Sequence, residues 1–195
     1  MSTRQSTYPI DSLFLDRWSP RAFDGSSLSE HDVLKLIEAA RWAPSAFNAQ
    51  PWRFIYALRD DAKWPIFLEL LIPFNQSWAS SASALIFILS DRKMRNEDGS
   101  PREASYSHSF DAGAAWAQLA LQARRDGLYT HGMSGFNVEQ ATARLDVPED
   151  FRIEAAIAVG RLGDPAALAD YLRERERPSV RTPLDQIAFA GAFRR

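Results

Sequence analysis

RWAPSAFNAQPWRFIYA, residues 41–57, leaves a helical pattern through Pro44 and enters an apolar extended run through Pro51 and Trp52. Ordinary helix-to-strand connections take about 2–6 residues and often carry a glycine. This one has no glycine; it has hydroxyl and amide groups at Ser45, Asn48 and Gln50, and a tryptophan on each flank. Ser45 and Ala46 are small enough for backbone groups to approach a flat ligand, and Asn48 and Gln50 each offer a donor and an acceptor. The same residues also suit a polar loop that caps its own helix, and the stretch alone leaves both readings open.

Upstream, Ser29 with Asp32 three residues on forms a capping signature. Val33, Leu36, Ile37 and Ala40 then recur at helical spacing until Pro44. Downstream, WRFIYAL (52–58) reads as a strand, residues 62–72 as a short helix and 76–82 as another. ALIFILS (84–90) is a continuous apolar run, the pattern of a strand covered on both faces. The polar stretch RKMRNEDGSPREASY (92–106) reads as a surface loop, and a long helix is expected over 105–126, closed by Gly127. On that helix Gly113, Ala117 and Ala120 share a face that would let a partner helix approach closely. EAAIAVGRLG (154–163) reads as a third strand, and the tail as arginine-rich helix and loop ending in an extended run near Ile187–Phe193.

A chain of 195 residues and 22.0 kDa, 46% hydrophobic and 25% charged, suits one globular domain over 1–195. With no cysteine, disulfides, thiolate metal sites and a cysteine nucleophile are excluded. The formal charge of −2 gives no field that favours nucleic acid or an anionic membrane. MSTRQSTYPIDS lacks the apolar core of a secretory leader, and ALIFIL is too short to span a bilayer, so the cytoplasm is the expected compartment. His31, His108 and His131 show no ligand spacing, and no metal is expected. In DYLRERERPSVR (170–181) glutamates alternate with arginines, which reads as a solvated, salt-bridged helix rather than an RNA-binding stretch.

RWSPR (17–21) is the other stretch with chemistry. Pro20 disfavours helix at Ser19, and in an extended chain Arg17, Ser19 and Arg21 point one way. Two guanidinium forks and a hydroxyl make a phosphate cradle or, equally on this stretch alone, a solvated basic turn. Asn75 is either a turn residue before ALIFIL or a further amide at the same pocket.

Together, RWSPRAF, EAARWAPSAFNAQPWRF, Asn75 ahead of ALIFIL, GLYTHGMSGF (127–136), AVGRLGDP (158–165) and RPSVRTPLDQIAF (177–189) resemble the FMN-dependent nitroreductase family, in the family's order and over most of the chain. The resemblance implies an α+β sandwich: a mainly antiparallel sheet flanked by helices, in an intertwined homodimer with FMN at the subunit interface. It implies that Arg17, Trp18, Ser19 and Arg21, with Arg181, surround the FMN phosphate and ribityl chain. Pro44, Ser45, Ala46, Asn48 and Gln50 would form the loop at the isoalloxazine, reached from the other subunit. Asn75 would contact the pyrimidine side, and Ser134 and Gly135 would face flavin N5 and O4. The implied activity is ping-pong transfer of hydride from NAD(P)H to a small acceptor such as a nitroaromatic or quinone, with no catalytic side chain required. Alternatives are a specialised relative acting on an enone, halogenated ring or metabolite, or a flavin-binding protein without turnover. His131 is an optional proton donor near the flavin loop. Trp18, Trp78 and Ser179 stand where relatives often place cationic or histidine residues, and Trp78 would either fall at the N1–O2 edge or pack under the buried strand.

Overall fold

Ser29 and Asp32 set the first long helix as their spacing predicts. Ser29 Oγ accepts from the Asp32 N–H while the Asp32 carboxylate accepts from the Ser29 N–H, a reciprocal capping box. The computed structural model describes residues 4–194, in which a short α1 (Ser12–Asp16) precedes this α2 (Glu30–Arg41). Then follow β1 (Trp52–Leu58), α3 (Trp64–Glu69), α4 (Pro73–Ala79), β2 (Ala84–Asp91), β3 (Lys93–Arg95) and β4 (Pro101–Ala104). The long α5 (His108–Arg125), β5 (Tyr129–Met133), α6 (Val138–Arg144), β6 (Phe151–Gly160) and α7 (Asp170–Arg173) complete the chain.

The main sheet has the order β1-β2-β6-β5, and every pair is antiparallel. β2 lies second in that order with both faces covered, which is why its sequence is apolar without alternation. Leu85, Phe87 and Leu89 face one core, shared with Phe67, Leu70, Trp78 and Met133. Ala84, Ile86 and Ile88 face the other, built by Val33, Leu36 and Ala40 of α2 and Ala112, Ala115 and Leu119 of α5. The register shifts between Ile88, opposite Ala155, and Leu89, opposite Ile153, so Glu154 is the extra residue of a β-bulge. The bulge turns its carboxylate to accept from Ser90 Oγ (2.6 Å) and Ser109 Oγ (2.7 Å), which ties the first turn of α5 to the sheet.

The architecture is the expected α+β sandwich, with corrections in the details. The long helix starts at His108, because Ser105 and Ser107 sit in the turn before it. The stretch 92–106 is not all loop: β3 and β4 pair as a small hairpin anchored by Arg95 to Asp91 at 2.6 Å. Tyr129–Met133 is a strand that the sequence reading did not assign, and no strand forms at 187–193. The face of α5 carrying the small residues is split, with Ala120 buried and Gly113 and Ala117 exposed.

Candidate functional site

α1 ends at Arg17, whose ψ of 121° turns the chain extended, and Arg17 Nη1 donates to Ser19 Oγ at 3.3 Å. Trp18, between them, packs edge-on against Tyr129 at 6.2 Å. The tail returns to the same place: Arg181 Nη1 donates to Ser179 Oγ at 2.9 Å. Arg4 donates to Ser179 Oγ at 3.4 Å and to the Arg17 carbonyl at 2.8 Å. Burial lowers the Arg17 pKa, and the positive fields of Arg181 and then Arg4 lower it further. Arg17 and Arg181 form no salt bridge among the described residues. A buried Arg17 whose charge is further opposed by Arg181 and Arg4 suits an anion placed between them.

Arg21 is held differently. Its guanidinium is 3.9 Å from the carboxylate of Glu176, and the backbone N–H groups of Arg21 and Ala22 both donate to Glu176 Oε1, at 2.7 and 2.8 Å. The reading of 170–181 as a wholly solvated charge run is therefore corrected at Glu176, whose side chain is fully buried. Arg4 and Glu176 are the cradle residues that sequence reasoning missed. A lone arginine in an N-terminal arm and one of two glutamates in a charge run carry no local signal.

Asn75 is buried, and its side-chain amide donates to the Gly135 carbonyl at 2.9 Å, so α4 and the Ser134–Gly135 turn form one unit. A Cβ on Gly135 would lie 2.6 Å from Asn75 Nδ2 and 2.7 Å from Ile72 Cδ1, so a side chain there would have to displace the Asn75 amide. Trp78, one turn on from Asn75, is 2% exposed and stacks between Phe23 and His131, with centroids at 6.4 and 4.6 Å. It packs as a core residue, which favours the packing alternative over a place at the flavin edge. His131 Nδ1 lies 2.9 Å from the Pro20 carbonyl; a carbonyl only accepts, so Nδ1 carries the proton and Nε2 is bare. Burial, with smaller contributions from Arg21 and Arg17, pushes its pKa down to about 4. A neutral ring whose one proton is committed to Pro20 is not the proton donor considered from sequence.

The loop from Pro44 to Gln50 carries three non-glycine residues in the left-handed region: Phe47 (φ 52°), Asn48 (φ 55°) and Gln50 (φ 47°). For a bulky residue such strain is of order 1–3 kcal/mol, and it persists where neighbours over-determine it. Here Ser45 Oγ accepts from the Gln50 N–H at 3.0 Å. Buried Asp111, in the first turn of α5, accepts from the Ala46 N–H at 3.2 Å and from Ser107 Oγ at 2.9 Å. Phe47 is left 93% exposed, and Pro44, Asn48 and Gln50 are exposed as well.

The fold brings Arg17, Ser19, Arg21 and Arg181 together, and Asn75 with Ser134 and Gly135, but it holds Pro44, Ser45, Ala46, Asn48 and Gln50 apart from the cradle. The loop is tied to the first turn of α5, whereas Trp18 packs on Tyr129 just past the other end of that helix. The 18 residues of α5 span roughly 27 Å. A hollow lined by Asp185, Phe189 and Phe193 is made by the C-terminal segment on itself and shares no residue with the cradle.

An antiparallel four-stranded sheet between two helical layers, with a cationic cradle on one edge and a strained amide-bearing loop at α5, defines a nitroreductase-type α+β sandwich. The chain belongs to the Nitroreductase family, whose sequence model matches residues 15–161. An oxidoreductase containing FMN is a solved structure similar to it, at 50% identity and TM-score 0.96, over 100% of this chain and 98% of that one. The NADH dehydrogenase of Thermus thermophilus is 26% identical, over 94% of this chain and 98% of the relative. The CLA biosynthesis enone reductase of Lactiplantibacillus plantarum is 27% identical, over 76% of this chain and 83% of the relative. No described helix is long and apolar enough to cross a membrane.

Proposed function

We propose that the protein is a cytoplasmic FMN-dependent oxidoreductase that takes reducing equivalents from NAD(P)H and passes them to a small oxidised acceptor, a nitroaromatic, quinone or enone. The observation that carries this reading is the Arg17–Arg181 cluster: two guanidinium groups from distant parts of the chain, drawn together with no salt bridge among the described residues, fit a terminal phosphate dianion. When bound, FMN would supply the redox chemistry, accepting hydride from the nicotinamide and delivering it to the acceptor in a second half-reaction. Arg17, Ser19 and Arg181, with Arg4 beside them, would hold the phosphate, and the Trp18 and Arg21 backbones would frame it. Asn75 and the Ser134–Gly135 turn would orient the ring.

The loop of Pro44, Ser45, Ala46, Asn48 and Gln50 would reach the cofactor from a second copy of the chain, which accounts for its separation from the cradle here. Exposed Tyr106, Phe110 and Phe47, beside the open Gly113 and Ala117 on α5, support a homodimer face. The enone acceptor is supported by the resemblance to the Lactiplantibacillus plantarum enzyme.

Purified protein is expected to be yellow, to release FMN and not FAD on denaturation, and to bleach when titrated anaerobically with NADH or NADPH. Colourless protein that FMN cannot reconstitute overturns the reading. Arg17→Ala and Arg181→Ala are each expected to weaken FMN binding roughly tenfold, the scale of one charge-assisted hydrogen bond. Sedimentation at micromolar concentration is expected to give a dimer, and a folded monomer that retains FMN would contradict the shared pocket.

A further inference from the structure

Glu176 is a carboxylate with no solvent exposure in a stretch whose neighbours Arg173, Glu174, Arg175 and Arg177 are exposed. Burying a carboxylate is costly unless its oxygens are satisfied. Oε1 is satisfied twice, by the N–H groups of Arg21 at 2.7 Å and Ala22 at 2.8 Å, while Oε2 has no hydrogen bond among the described residues and faces Arg21 Nη1 at 3.9 Å. An ion pair that loose does not explain why the side chain is buried. The two backbone N–H groups do, because they are consecutive and converge on one oxygen.

What this contact joins matters more than its strength. The segment 20–24 is fixed on its other side by the chain around Gly163: the Gly163 N–H donates to the Ala22 carbonyl at 2.9 Å, and the Asp24 N–H to the Arg161 carbonyl at 3.1 Å. A Cβ on Gly163 would lie 2.5 Å from the Phe23 backbone, so that attachment is close and rigid. Glu176 binds the remaining N–H groups from the tail, five residues before Arg181 and three before Ser179. It therefore joins the chain segment that carries Arg17 and Ser19 to the one that carries Ser179 and Arg181. Arg17 and Arg181 themselves form no salt bridge among the described residues.

We propose that Glu176 is a positioning residue for the phosphate cradle: its carboxylate clamps the Arg21 and Ala22 backbone and so fixes Arg181 opposite Arg17. The inference rests on the FMN reading above and adds a dependence that the reading does not itself contain. A clamp on the phosphate site should affect FMN and leave riboflavin, which has the same ring and ribityl chain without the phosphate, nearly untouched. A merely structural residue would affect both.

The test compares dissociation constants for FMN and riboflavin, by flavin fluorescence on the flavin-stripped full chain, for wild type, Glu176→Ala and Glu176→Gln. Wild type is expected to prefer FMN strongly. Glu176→Ala is expected to cut that preference tenfold or more with riboflavin affinity unchanged. Glu176→Gln, whose amide oxygen still accepts both N–H groups, should restore the preference to within about threefold. If the alanine variant does not fold, Glu176→Asp, which keeps the charge but falls one methylene short, should show the same loss. An unchanged preference in Ala or Asp, an equal loss for both flavins, or a glutamine variant as impaired as alanine overturns the clamp. Wild type that shows no preference for FMN over riboflavin overturns the cofactor reading, and this inference with it.

Discussion

Replacing Trp78 by alanine is expected to cost about 3–5 kcal/mol of stability, the range for truncating a buried aromatic side chain. The indole is 2% exposed, stacks on Phe23 and His131, and belongs to the core that also contains Phe67, Phe87 and Met133. Its N–H has no hydrogen-bond partner among the described residues, so the cost is one of packing and cavity, not of a broken polar contact. For a chain of this size that corresponds to a fall of roughly 10–15 °C in Tm. Trp78→Lys should be worse, because an ammonium group at this depth is desolvated. The measurement is urea unfolding of the flavin-free protein. If Trp78→Lys unfolds within about 1 kcal/mol of wild type and raises the potential of bound flavin, the side chain lies at the ring edge and its placement in the core is wrong.

Asn75 and Trp78 show how far sequence carries such a question. Both lie on α4, whereas sequence starts that helix at 76 and offers Asn75 as a turn residue or pocket amide. It does not say that the amide stops at the Gly135 carbonyl while the indole continues into the space between Phe23 and His131. Depth is set by what packs opposite, and here Phe23 arrives from 55 residues away and His131 from 53.

The same division holds across the fold. The Ser29–Asp32 box, the apolar run of β2 and the proline before β1 encode their structure within a few residues, and all three were legible. β5 was not, because Tyr129–Met133 holds a histidine and a glycine and takes its strand conformation from pairing with β6. Within the candidate site, Arg17 and Ser19 were legible as a local alternation. Arg4 and Glu176 reach the same place across 13 and 155 residues, and no spacing rule connects them.

Stability of the flavin-free protein is expected to fall as pH drops from 6.5 towards 4, and His131 should account for up to about 3 kcal/mol of that fall. Burial, with Arg21 and Arg17 adding smaller contributions, pushes the folded-state pKa down to about 4 from an ordinary 6.5, while the hydrogen bond to the Pro20 carbonyl only partly opposes this. Above pH 6.5 the ring is neutral in both folded and unfolded chains and contributes no pH dependence. Between 6.5 and 4 the unfolded chain binds a proton that the folded chain refuses, so stability is lost as pH falls, and below 4 both forms are protonated and this loss stops growing. The aspartates held low by their partners, Asp24, Asp32 and Asp126, act in the same direction but below their ordinary pKa of 3.8, in a separate window. His131→Asn isolates the effect: its amide can still donate to Pro20, but it does not titrate. Urea unfolding of both proteins from pH 7 to 4.5 should show a steeper loss for wild type than for the variant. Parallel curves would mean that the imidazole takes up its proton inside the fold, with Trp78 and the two arginines shifting to admit it.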